Sequence, residues 1–241
     1  PTELGSTRVL VGGVPAPLLY VSPSQINLIT PVRLSSQAGS GTTVTVYSSR
    51  LASPAARVNV ARSSPGVFTV LGAGTGAGAI THADGSVISR LDPLRPGEVI
   101  SVYLTGLGSL DPPVEDGAPA PAEPLSRAIA NVRLLMDNQP AEVLYAGASP
   151  GFAGLHLVVA KVPETLPRRF PEVVVESDAV RSNRTTAGGP SLLDVQPGAV
   201  RSASDATVTL RGINLPSNPA VRIGNESRPA ILTEGGLQSV R

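Results

Sequence analysis

The apolar stretches of this chain are short, rich in Val, Ile and Thr, and broken by Pro or Gly every eight to twelve residues. β-Branched residues suit a pleated, half-buried surface, and breaks at that spacing leave little room for amphipathic helices. The pattern predicts an all-β protein. Gly (25) and Pro (24) are abundant, yet the apolar fraction is 41% and the net charge only +1. Such a chain can bury a core and is not held open by its own charge, so the Gly and Pro read as turns between ordered strands.

At 241 residues the chain has room for two or more modules, since a domain typically takes roughly 100–200 residues. A repeat shows where they lie. Val9 to Tyr20 (VLVGGVPAPLLY), Val132 to Tyr145 (VRLLMDNQPAEVLY) and Val221 to Leu232 (VRIGNESRPAIL) each read as strand, polar turn, Pro-Ala and strand. Around the middle copy, Glu98 to Gly108 matches Ala206 to Leu215. Leu155 to Pro163 matches Ile26 to Pro31, and Val173 to Val180 matches Val44 to Val60. The middle module is therefore complete, while the first carries only closing strands and the third only opening strands. The expected boundaries are 1–62, 63–186 and 190–241, with Asn183 to Gly189 as a polar linker.

Within the middle module the alternation predicts at least seven strands, at 67–71, 79–89 with a turn at Asp84-Gly85, 98–107, 131–137, 141–146, 155–162 and 172–180. That number suits a two-sheet antiparallel sandwich. The expected core positions are Ile100, Val102, Leu104, Leu134, Val143, Tyr145, Leu157, Val159, Val173 and Val175.

Three stretches carry a family resemblance: Gly13 to Asn27 (GVPAPLLYVSPSQIN), Arg95 to Gly108 (RPGEVISVYLTGLG) with Asp111-Pro-Pro113, and Leu144 to Gly154 (LYAGASPGFAG). They resemble the repeat domain at the C-termini of large secreted Acidobacteria (Solibacter-type) proteins, over residues 4 to 183. Pro190 to Gly224 resembles a TIG/IPT immunoglobulin-like domain. Both resemblances imply tandem immunoglobulin-like β-sandwich modules, a secreted or surface location in a bacterium, and no catalytic residues. The chain opens on Pro1 without Met and stops at Arg241 inside an unfinished β pattern, which predicts a piece of a longer precursor.

The residues suggest little chemistry. Gly147 to Gly151 (GASPG) has the letters of a nucleophile elbow around Ser149, but the following residue must donate its N–H to an oxyanion and Pro150 has none. His82, beside the Asp84-Gly85 turn, and His156, on an alternating strand, read as solvent-facing residues, and without cysteine no zinc set forms around them. Asp111, Glu115, Asp116 and Glu123 sit in a Pro-rich stretch without calcium-loop spacing. Gly72 to Gly78 (GAGTGAG) lacks the Lys of a phosphate loop and reads as a flexible connection. Lys161, the single lysine, leaves scope for one isopeptide crosslink at most. Asn183 and Asn225 stand in sequons that chance also produces. Eighteen scattered arginines form no basic stripe for nucleic acid. Cysteine is absent, so there are no disulfides, and no apolar run approaches the roughly 18–20 residues that insert into a membrane. There is no Trp, and Tyr20, Tyr47, Tyr103 and Tyr145 occupy strand positions that packing explains. No cofactor, metal or catalytic residue is assigned.

The expected function is a non-enzymatic structural subunit of an extracellular or cell-surface assembly that polymerises with itself head to tail. The strand from Ala206 to Leu215 would complete the first module of the next subunit, with Val208, Leu210, Ile213 and Leu215 packing against Val9, Val11 and Leu19. The alternative is an adhesive module that binds a glycan or protein.

Overall fold

The computed structural model describes residues 1–196, 198, 208–216, 220–223, 226–233 and 237–240. It is all-β, with antiparallel strand pairing throughout its named sheets and one short 3-10 helix among the described residues.

The first module contains β1 (Thr7–Val11), β2 (Val14–Pro15), β3 (Leu18–Val21), β4 (Ile26–Leu28), the 3-10 helix Val32–Gln37, β5 (Gly41–Ser48), β6 (Leu51–Ala52) and β7 (Ala56–Asn59). Strand β1 lies between β2 and β5, and β5 also pairs with β6 and β7; β3 and β4 form a separate two-stranded sheet. Gly12 and Gly13 both have positive φ, 58° and 76°, the backbone a two-residue hairpin turn requires. Gly12 is further constrained, because a Cβ there would stand 2.7 Å from the Thr42 hydroxyl and 3.0 Å from a Leu34 methyl. Leu34 descends from the 3-10 helix between the two sheets, where it packs with Val9, Val11, Ala16 and Leu18.

The middle module contains β8 (Gly66–Val67), β9 (Ile80–His82), β10 (Val99–Thr105), β11 (Leu110–Asp111), β12 (Arg127–Ala128), β13 (Val132–Met136), β14 (Gln139–Ala148), β15 (His156–Lys161), β16 (Glu172–Ser177), β17 (Val180–Arg181) and β18 (Thr185–Thr186). The main path runs β17-β16-β13-β14-β15-β10-β8, with β9 also on β10 and β18 also on β16. Strand β14 belongs to both halves. Residues 139–141 pair with β13, residues 142–148 pair with β15, and a bulge between Val143 and Tyr145 marks the crossing. A bulge bends and twists its strand, which is how one strand turns a sandwich corner. Between the halves lies the main core, including Ile100, Val102, Leu104, Leu134, Met136, Val158, Ala160, Val173 and Val175.

Five of the seven expected strands of this module lie close to their expected places, while 67–71 shrinks to β8 and 79–89 to β9 with a bridge from Thr81 to Val87; the turn at Asp84-Gly85 forms, with Asp84 accepting from the Ser86 backbone and hydroxyl. One register differs. On β15 the buried residues are Val158 and Ala160, not Leu157 and Val159. That run is apolar on both faces (LVVA), so alternation alone cannot choose its inner side. The polar linker is also corrected: Asn183 to Gly189 is built into the middle module. Asn183 accepts from the Val67 N–H and donates to the Val67 and Gly74 carbonyls, Thr185 donates to the Val173 carbonyl, and Ala187 is fully buried. The same bonds fix the Gly72 to Gly78 segment, which is therefore pinned, not free, and they occupy the amide that a glycan on Asn183 would need.

The third module contains β19 (Ser191–Gln196), β20 (Val208–Ile213), β21 (Ala220–Ile223), β22 (Glu226–Thr233) and β23 (Leu237–Val240), in the order β19-β20-β23-β22-β21. Side chains tie it to the middle module. Ser191 Oγ accepts from the Ala77 N–H, and Asn214 accepts from the Arg90 N–H at 3.3 Å. At the other junction Asp116 accepts from the Val32 N–H at 2.8 Å.

Candidate functional site

The repeat in the sequence is a repeat of strand pairing. In the middle module β13 forms a hairpin with the start of β14, the rest of β14 pairs with β15, β16 returns beside β13, and β17 and β18 flank β16. In the first module β1, β2, β3, β4, β5, β6 and β7 follow the same path. The correspondence reaches single residues: Leu18, Leu19 and Tyr20 carry a bulge between Leu18 and Tyr20, as Val143, Leu144 and Tyr145 do.

One partner is missing from the first module. Strand β15 has β14 on one edge and β10 on the other, whereas among the described residues β4 has β3 alone. The unpaired edge of Ile26–Leu28 thus presents backbone donors and acceptors that the middle module satisfies with β10. Burial follows the same difference. Val158 and Ala160 are fully buried, and their counterparts Ile26 and Leu28 are only half-buried. Tyr145 is 9% exposed, and its hydroxyl donates to the carbonyls of Ser126, at 3.1 Å, and Ala148, at 2.7 Å. Tyr20 is 49% exposed. Burial raises the Tyr145 phenol above its ordinary range, with the Arg127 charge opposing.

The interface residues expected from sequence are distributed differently. Val9 and Val11 are 1% and 5% exposed, closed within their own module by Leu18 and Leu34. Leu19 is 54% exposed, but so is its counterpart Leu144 at 45% in the complete module. Exposure there belongs to the bulge and does not mark a missing partner. On β20, Leu210 is 6% exposed and Val208, Ile213 and Leu215 are half-buried. That strand is flanked by β19 and β23 of its own chain, so it has no free edge to donate. The expected pairing of β20 with the first module of another subunit is therefore corrected. Sequence reasoning passed over Tyr20, whose signal is the matched LLY and VLY with an Arg95–Gly108 strand before only the second.

Neither histidine is solvent-facing as the sequence suggests: His82 is buried and His156 half-buried. His82 Nδ1 lies 2.8 Å from Glu98 Oε2 and its Nε2 lies 3.4 Å from Asp92 Oδ2, while Arg95 bonds Asp92. Burial pulls the His82 pKa down, but the hydrogen bonds and charges of Glu98 and Asp92 outweigh it and the net shift is upward. His156 Nδ1 accepts from the Leu107 N–H at 3.1 Å, and burial lowers its pKa to about 4. It is neutral at pH 7. Ser149 is buried, its N–H donating to the Leu155 carbonyl, and no histidine is bonded to its hydroxyl among the described residues. Asp111, Glu115, Asp116 and Glu123 are exposed along their loop and form no metal-ligating group there. A cavity of about 60 Å³ beside Leu135, Glu172 and Arg184 is far smaller than the roughly 300 Å³ of a small-molecule site. Among the described residues no helix is long and apolar enough to cross a membrane.

No family model matches the chain, and no curated protein is similar to it in sequence. Among solved structures it is similar to the I9–I11 tandem from titin, at 10% identity over 98% of this chain and 82% of that one, with a TM-score of 0.22. It is also similar to domains 4–9 of the surface layer protein SbsC, at 13% identity over 98% of this chain and 34% of that one, with a TM-score of 0.18.

Proposed function

We propose that this chain is a structural subunit of an extracellular bacterial assembly, and that its first module is completed by a strand added along β4 from a neighbouring subunit or module. The observation that carries the reading is the edge of β4, unpaired among the described residues, beside the exposed Tyr20; in the middle module β10 pairs along that edge, and the Ser126 carbonyl and the Arg127 side chain lie on Tyr145. An edge of this kind is one that free-standing domains usually cover or blunt. Covering Tyr20 contributes roughly 1.5–3 kcal/mol before ordering costs, and ladder hydrogen bonds set direction and register. The hydrogen bonds across both junctions support a structural role, because they fix neighbouring modules to one another. The outside location rests on the resemblance to secreted Acidobacteria repeats.

Sedimentation velocity and negative-stain microscopy of the purified chain over a hundredfold concentration range test the assembly. Concentration-dependent polymers that Tyr20→Lys weakens are expected, and a monodisperse monomer throughout overturns the reading. Protease added to intact cells should remove the protein.

A further inference from the structure

The outer faces of the two matched sheets differ in charge. In the middle module Arg133 on β13 opposes Glu176 on β16 and bonds it at 3.2 Å, and Glu172 on the same strand holds Arg184 at 3.1 Å. The same path through the first module brings Arg8 on β1 opposite Tyr47 on β5, with Arg57 on β7 opposite Thr43. Tyr47 and Thr43 stand where the middle module has Glu176 and Glu172. The carboxylates are gone, while Arg8 keeps the place of Arg133 and Arg57 stands where the middle module has Thr186. The Arg8 guanidinium rests 4.7 Å from the centre of the Tyr47 ring, a contact that orients it without neutralising it. Residues 1–62 hold five arginines against one glutamate, Glu3, and none of the five is in an ion pair among the described residues.

Residues 63–189 carry the opposite excess, thirteen acidic side chains against nine basic ones. Asp92, Glu98, Asp137, Glu164, Glu172 and Glu176 are taken up by basic partners. Asp111, Glu115, Asp116 and Glu123 are not, and all four are exposed on one loop. That loop touches the first module at Val32, and Gly117 lies against Pro17, on the side of β3, β4 and the 3-10 helix. Arg8 and Arg57 face the other way. Their neighbours Val9, Val11, Val44 and Val46 turn into the core between the two layers, so the basic face is directed away from its own acidic loop.

We infer that the Arg8–Tyr47–Arg57 face of one copy receives the Asp111–Glu123 loop of a second copy. The inference rests on the assembly reading above and names one of its contacts. Two different surfaces meet, each present once per chain, so the contact is heterologous and continues from copy to copy. Opposite charges on exposed groups also make it salt-dependent, because the screening length falls from about 10 Å at 0.1 M to about 3 Å at 1 M.

The test uses two charge reversals in the full chain, Arg8→Glu/Arg57→Glu and Glu115→Arg/Glu123→Arg. Asp116 is left in place because it accepts from the Val32 N–H. Each variant is checked for an unchanged circular dichroism spectrum and thermal midpoint, and the neutral pair Arg8→Gln/Arg57→Gln stands in if the reversal unfolds. Parent polymers should dissociate as salt is raised from about 0.05 to about 1 M, a roughly twentyfold change across which the screening length shrinks to about 3 Å. Either variant alone should need at least about tenfold more protein to assemble. Their equimolar mixture should assemble again, since each then meets a complementary surface. Polymers indifferent to salt and to both reversals, but weakened by Tyr20→Lys, overturn this contact and leave the proposed function standing. A mixture that does not recover also overturns it. A parent that stays monomeric while polygalacturonate binds through Arg8 and Arg57 overturns both readings.

Discussion

Residues 7–59 and 132–186 run the same strand path with unequal results. The middle module seals most of the inward residues on β13, β15 and β16, among them Leu134, Met136, Val158, Ala160, Val173 and Val175. In the first, Val44 and Val46 stay half-buried where Val173 and Val175 are sealed. The local code is nearly common to both: a two-residue turn with positive φ, at Gly12-Gly13 or Asp137-Asn138, then Pro-Ala, then a bulge. One local difference matters. Glu142 carries β14 across the corner unbroken, whereas Pro17 has no N–H to donate and the chain divides into β2 and β3. The larger difference lies outside the shared strands, in the Ser126 carbonyl and Arg127 side chain that lie on Tyr145 and in β10 beside β15, which have no counterpart at Tyr20 and β4 among the described residues. Turns and pairings are thus local properties, and burial is conferred by strands far away in sequence.

Identical substitutions at matched positions should separate the modules most strongly. Val173→Ala/Val175→Ala should cost roughly 3–5 kcal/mol and Val44→Ala/Val46→Ala about half as much, since the second pair gives up less buried area. Hydrogen exchange mass spectrometry, which resolves protection module by module, reads both; equal losses would break the comparison.

Acid should act next, and on the middle module alone. His156 is neutral in the fold with a pKa of about 4 and titrates near 6.5 when unfolded. Its contribution is therefore complete above pH 6.5 and is lost as pH falls toward 4, on the order of 3 kcal/mol. His82 has the opposite sign: its pKa is raised, so its contribution is complete below pH 6.5 and is lost as pH rises through the folded value. Exchange protection of β10 and β15 amides measured from pH 4 to 7 should rise with pH, and His156→Gln should flatten that rise.

Tyr145→Phe removes the hydroxyl from the Ser126 and Ala148 carbonyls and should cost about 1–2 kcal/mol. Tyr20→Phe should cost nothing measurable in the monomer by urea denaturation, and a loss as large as that of Tyr145→Phe would mean Tyr20 is already covered. The smallest effect belongs to Pro17→Glu. Restoring an N–H lets β2 continue toward β3, with a stability change expected within about 0.5 kcal/mol and added protection at residues 16–18.

Legible in the residues alone were the all-β class, the long strands β10, β13, β14, β15 and β16 of the middle module, the turn at Asp84-Gly85 and the matched strand-turn-Pro-Ala pattern. Those follow from backbone constraints at Gly, Pro and Asp-Asn and from the period of two, which neighbouring residues set alone. The sequence did not determine which side of LVVA faces inward, that His82 is buried and His156 half-buried, or that Asn183 fastens a glycine loop, because each depends on partners brought together by the fold, from 10 to 116 residues away, or on an apolar run with no polar face to choose. Nor did it determine the fate of β20. An alternating strand offers the same two edges to its own chain or to another, and only the tertiary structure, by placing β19 and β23 beside it, decided that β20 is an interior strand and left β4 as the open edge.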